Sequence, residues 1–86
     1  MEFKEINDRQ CIPLTTVENY NGGFIKYYWN FRDKNFVSVI EINDSTLIRT
    51  KSFDKMMQNI DDDVVLKALL SAQEKGLVNL NKEIIL

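Results

Sequence analysis

Residues 24–32, Phe-Ile-Lys-Tyr-Tyr-Trp-Asn-Phe-Arg, alternate in character: Ile25, Tyr27, Trp29 and Phe31 are apolar or aromatic, while Lys26, Asn30 and Arg32 fall at intervening positions. A period of two sends successive side chains to opposite faces, so the stretch predicts a half-buried strand. Asp33-Lys34-Asn35 then reads as a three-residue hairpin loop, with Asn35 best suited to a positive φ. In that register Arg32 pairs with Phe36, Phe31 faces Val37 and Trp29 faces Val39, so that apolar sets coincide. The next strand, 36–42, ends at Asn43-Asp44, a pair suited to a two-residue type I′ turn. A third strand returns over 45–50, placing Ile48 opposite Val39 and Leu47 opposite Ile40. The expected unit is a three-stranded antiparallel meander over 24–50. Its main apolar face carries Ile25, Tyr27, Trp29, Phe31, Val37, Val39 and Ile48; the other sets Lys26, Tyr28, Asn30 and Arg32 beside Phe36, Ser38, Ile40, Ile42 and Leu47.

After Lys51 the period lengthens. Ser52 is suited to an N-cap, and Phe53, Met56, Met57 and Ile60 recur at helical spacing, which predicts a helix over 53–60. A second helix, 62–75, starts in Asp61-Asp62-Asp63, runs through Val65, Leu66, Ala68, Leu69 and Ala72, and stops at Gly76. Residues 78–84 alternate again and are compatible with a final strand or a short helix. Before the meander, residues 2–6 read as a short strand and Asn7-Asp8 as a turn. Residues 11–14 read as an edge strand, because Pro13 cannot donate to a central ladder. Thr15 or Thr16 is suited to cap a turn of helix that Asn21-Gly22-Gly23 would break. The fold class is α+β: a small antiparallel sheet, with further strands open at both termini, packed against two helices in the C-terminal half.

Composition narrows the chemistry. With 86 residues the chain is one small domain, residues 1–86, and its core is small. It has 11 Lys and Arg against 13 Asp and Glu, a net charge of −2, which opposes a general electrostatic grip on nucleic acid. There is no His, so Cys/His zinc sites and His-containing triads are excluded, and Cys11 alone cannot form an intramolecular disulfide. No Gly-rich phosphate loop or Gly-x-Ser-x-Gly elbow occurs. Residues 61–63 are explained as acidic residues at a helix start, and they lack the spacing and central Gly of a calcium loop. The expectation is therefore no enzyme, no cofactor and no metal. The first residues lack the pattern of a secretory signal and no apolar run is long enough to span a bilayer, giving a cytoplasmic expectation with no membrane partner.

The second sheet face departs from what folding alone requires. Lys26, Tyr28, Asn30, Arg32 and Lys34 form a net basic row flanked by Phe36 and Ile40, apolar side chains with no assigned cover, and such a rimmed patch marks an interaction surface. Cover by residues 1–23, or a homodimer, competes with an external partner for it. The expected function is a small protein-binding module that occupies a surface of a larger protein. Its size, and a bias of nine Asn, nine Ile and eight Lys against two Ala, fit the style of phage or mobile-element inhibitors of host nucleic-acid enzymes and defence systems, anti-CRISPR proteins included. The alternative is a single-stranded nucleic-acid-binding domain using Tyr28 with Lys26, Arg32 and Lys34; net charge makes it the weaker expectation.

Overall fold

Residues in left-handed backbone, with short side chains except at Lys34, which takes the positive φ expected of Asn35, turn the first fifty residues into consecutive hairpins. Asn7 and Asp8 (φ 50° and 65°), Asn21 and Gly22 (φ 49° and 84°), Lys34 (φ 54°) and Asn43 (φ 55°) each reverse the chain. Asn, Asp and Gly pay least for this conformation. The computed structural model describes residues 3–80. Its strands are β1 (Lys4–Ile6), β2 (Arg9–Tyr20), β3 (Gly23–Asn30), β4 (Asn35–Ile42) and β5 (Ser45–Lys51), followed by helices α1 (Phe53–Gln58) and α2 (Asp63–Glu74). The strands form one curled antiparallel sheet in the order β1-β2-β3-β4-β5. The α+β class stands, with the meander extended to five strands.

Both helices begin on the expected chemistry, and α2, Asp63–Glu74 against an expected 62–75, also ends on it. Ser52 Oγ accepts from Lys55 N at 3.1 Å, and Asp62 Oδ1 accepts from Val64 N at 2.8 Å. At the end of α2, Gly76 takes φ 75°, Gly76 N donates to Gln73 O, and Leu77 N donates to Ala72 O at 2.9 Å. This closure satisfies carbonyls that the helix leaves open. α1 stops at Gln58, two residues short of expectation, because Asn59 closes it by donating from Nδ2 to Lys55 O.

The N-terminal third differs from expectation. Thr15 and Thr16 lie in β2, which runs from Arg9 to Tyr20 without a helical turn. Bulges at Leu14 and Asn19 shift its phase, so the sequence lacks clean alternation although the backbone is extended. β1 pairs only with Arg9, Gln10 and Cys11; beyond them the outer edge of β2 faces no strand among the described residues. Residues 78–80 are neither strand nor helix, and the remainder of the expected terminal element, 81–84, lies outside the described residues.

The β3–β4 register also differs, with a larger consequence. The loop is residues 31–34, so Asn30 pairs with Asn35, Trp29 with Phe36, Tyr28 with Val37 and Ile25 with Ile40. Relative to the expected pairing this is an odd shift, and an odd shift exchanges the faces of β4. Phe36 and Ile40 therefore join Ile25, Tyr27 and Trp29 on the helix-covered face. Val37 and Val39 move to the other face with Tyr28, and Phe31 belongs to the loop. The β4–β5 pairing is as expected, Val39 with Ile48 and Ile40 with Leu47. The principal core gathers Ile12, Ile25, Tyr27, Trp29 and Phe36 against Met56 of α1, Val65, Ala68, Leu69 and Ala72 of α2, and Leu80. Trp29 and Phe36 meet edge to face, with centroids 5.0 Å apart. Cys11, Tyr28, Val37 and Val39 form a smaller cluster on the opposite face, flanked by Ile6 and Ile48.

Gly23 is needed in β3 for a reason separate from the turn before it: a Cβ there would collide with the Glu41 carbonyl oxygen of β4. The two neighbouring phenylalanines offer a direct check of the register. Phe36→Ala should cost about 3–5 kcal/mol and leave little cooperative unfolding in so small a domain. Phe31→Ala, on an exposed side chain, should cost less than about 0.5 kcal/mol in urea or thermal denaturation. Equal losses would contradict the pairing.

Candidate interaction surface

The loop that sets the register also builds the most pronounced surface feature. Asn30 is fully buried, and its Oδ1 accepts from Arg32 N at 3.0 Å and Asp33 N at 3.1 Å. Its Nδ2 donates to Asp33 Oδ2, and its carbonyl accepts from Lys34 N at 2.8 Å. One side chain thus satisfies both ends of a tight loop and forces Phe31 outward, where it is 54% exposed. Phe3, 48% exposed, approaches from just before β1. The two phenylalanines line one open groove with Asp8, Arg9, Gln10 and Arg32. Arg9 Nε lies 3.7 Å from Asp33 Oδ2, and Lys34 Nζ sits 5.4 Å from the centre of the Phe31 ring. Exposed aromatics beside arginines are the composition from which strong interface contacts are built.

The other residues singled out from the sequence are dispersed. Lys26 stands on the face away from the helices and pairs with Glu41, Nζ to Oε1 3.1 Å. Tyr28 is buried in the smaller cluster, with Lys4 Nζ 5.8 Å from its ring centre. Asn30 is the loop cap, Phe36 is in the principal core, and Ile40 packs against that core from its margin. Only Arg32 and Lys34 share a solvent-facing site. The sequence reading missed Phe3, Arg9 and Phe31. Asn30 followed three residues later by Asp33 was the available signal, since that pair favours a side-chain-closed loop over continued strand.

A second groove runs between the free edge of β2 and α2. It is lined by residues 15–18 and by Lys67, Leu70, Ser71 and Glu74, with Leu70 47% exposed. Ser71 Oγ donates to the carbonyl of the bulged Leu14 at 3.0 Å, tying helix to strand. Pro13, two bulges and Glu18 make this edge a poor template for further strand pairing. Among the described residues no cluster of three or more Cys, Asp or Glu is placed to hold a metal ion, and no helix is long and apolar enough to cross a membrane. No protein-family model, curated protein or solved structure matches the chain.

Three titrating groups are displaced in one direction. Burial pushes the Tyr27 hydroxyl up, helped by Asp62 and Tyr20; burial also pushes the Cys11 thiol up, against the opposing charge of Arg9. The hydrogen bond and charge of Glu41 raise Lys26. Each folded-state value lies above its unfolded one, so these contributions are complete below the unfolded pKa and are lost as pH rises through the folded one. Stability should be flat near neutrality and decline above about pH 9–10. Tyr27→Phe should make that decline shallower in urea unfolding at neutral and alkaline pH; an unchanged slope would remove Tyr27 from the explanation.

Proposed function

We propose that the chain is a small non-enzymatic protein-binding module that works by covering a surface of a larger partner, in the manner of small inhibitors carried by phage or mobile elements. The observation that supports this reading is the groove in which exposed Phe3 and Phe31 lie beside Arg9 and Arg32. Solvent-facing phenylalanines contribute nothing to the core, and apolar patches rimmed by charge suit a partner that buries them. The absence of His and the buried, raised thiol of Cys11 favour binding over chemistry. The docking residues of this reading are Phe3, Arg9, Phe31, Arg32 and Lys34, in place of the strand face.

Capture from a low-GC bacterial lysate, followed by affinity measurement with the captured protein, tests the reading. Phe31→Ala with Arg32→Ala should retain the fold and weaken binding by at least ~10-fold, as expected for a central aromatic and its arginine neighbour. Failure to capture any partner, or a partner bound equally by the double variant, would overturn it. Light scattering on the chain alone checks the self-association route: a dimer that the same double variant converts to monomer would make the partner a second copy.

A single-stranded nucleic acid is the second reading, favoured by the same phenylalanines standing among Arg9, Arg32 and Lys34. Bases would stack on the rings while the cations meet phosphates. Two or three phosphate contacts predict a salt slope of about −1.4 to −2.1 for single strands. No mobility shift of any single strand at low salt would end this reading.

A further inference from the structure

A small chamber lies away from the hairpin groove, between the helix-covered sheet face and the link joining α1 to α2. Its volume is about 150 Å³, and its polar lining includes Tyr27, Ser38, Arg49, Lys51, Asn59 and Asp62, with Tyr20 beside them. Ser38 and Tyr27 are each only 2% exposed. Neither hydroxyl has a hydrogen-bond partner among the described residues. Neither oxygen is among the buried unpartnered side-chain atoms of the described residues, which are Thr15 Oγ1 and Asn35 Oδ1, so both hydroxyls open onto the chamber with a donor free for an occupant.

The charge at the mouth says what kind. Arg49 stands directly opposite Ser38 in the β4–β5 register, and Lys51 follows on the same face. Neither cation is in an ion pair; those among the described residues are Arg9 with Asp33 and Lys26 with Glu41. The one carboxylate of the chamber, Asp62, has Oδ1 committed to the first turn of α2 through Val64 N at 2.8 Å. We propose that this chamber binds a phosphate-sized oxyanion, with Arg49 and Lys51 supplying charge at the mouth and the Ser38 and Tyr27 hydroxyls donating from the floor. Arginine suits the task because its planar fork donates two parallel hydrogen bonds to such a group. The volume is below the roughly 300 Å³ of ordinary small-molecule pockets, so it accommodates the oxyanion with a few waters and leaves a nucleoside outside. The chemistry is shared by free phosphate and by a phosphomonoester whose remainder stays in solvent.

Amide NMR titrations of the whole chain, with inorganic phosphate and with O-phosphoserine at constant ionic strength, test the site. Additions to about 50 mM would resolve a millimolar Kd. Saturable shifts at residues 38, 49 and 59 are expected. Arg49→Gln, on an exposed side chain, should weaken binding by at least ~10-fold, and Ser38→Ala several-fold. Ser38→Ala should leave the melting temperature unlowered, since the hydroxyl has no partner to lose. Asp62→Asn retains a good helix cap and removes the opposing charge, so it should tighten binding several-fold. Equal or stronger binding of O-phosphoserine would identify the source as a phosphomonoester, and binding of phosphate alone a free oxyanion; both uphold the site. Shifts that fail to saturate with either probe, or that persist undiminished in folded Arg49→Gln, would overturn it.

Discussion

Asn30 holds the β3–β4 loop closed, and the arrangement of both sheet faces follows from it. Its buried amide accepts from two successive loop N–H groups and donates to Asp33, while its carbonyl takes the N–H of Lys34. A loop closed in this way contains four residues, and its length fixes which side of β4 faces the helices. Phe36 then meets Trp29 edge to face, and the helices have an aromatic floor on which Met56, Ala68, Leu69 and Ala72 close. The small residues of α2 matter here because they let the helix approach the sheet closely enough to exclude water from large rings.

Much of the second half was legible because helical signals are local. The Ser52 cap, the Asp62 cap, the stop at Gly76 and the β4–β5 register all follow from residues within a few positions of one another. The β3–β4 register is not decided in this way. Residues 36, 37, 39 and 40 are Phe, Val, Val and Ile, apolar at both parities, and Tyr27, Tyr28 and Trp29 repeat the ambiguity opposite them. Because both sheet faces carry buried clusters, either register satisfies an alternation rule, and loop chemistry becomes the deciding term. β2 was obscured differently: its bulges at Leu14 and Asn19 reset the alternation twice, and Pro13 broke the appearance of a long strand.

The same register determines which groups reach solvent. The basic row expected on one sheet face is divided: Lys26 is in an ion pair, Tyr28 and Asn30 are buried, and Arg32 and Lys34 lie in a loop beside an exposed aromatic ring. Phe3 and Arg9 complete that surface from distant sequence, and no pattern within the first ten residues indicates where they arrive. On the helix side, exchanging the faces of β4 sets Ser38 beneath Arg49 and next to Tyr27, which creates the polar chamber. Both candidate sites therefore depend on one hairpin connection.

Cross-strand nuclear Overhauser contacts in the β3–β4 hairpin measure that dependence most directly. A loop of residues 31–34 predicts ring-to-ring contacts between Trp29 and Phe36 and side-chain contacts between Tyr28 and Val37. Contacts of Trp29 with Val39 and of Phe31 with Val37, the pairs of a three-residue loop, would contradict it and dissolve both the core and the two surfaces built on it.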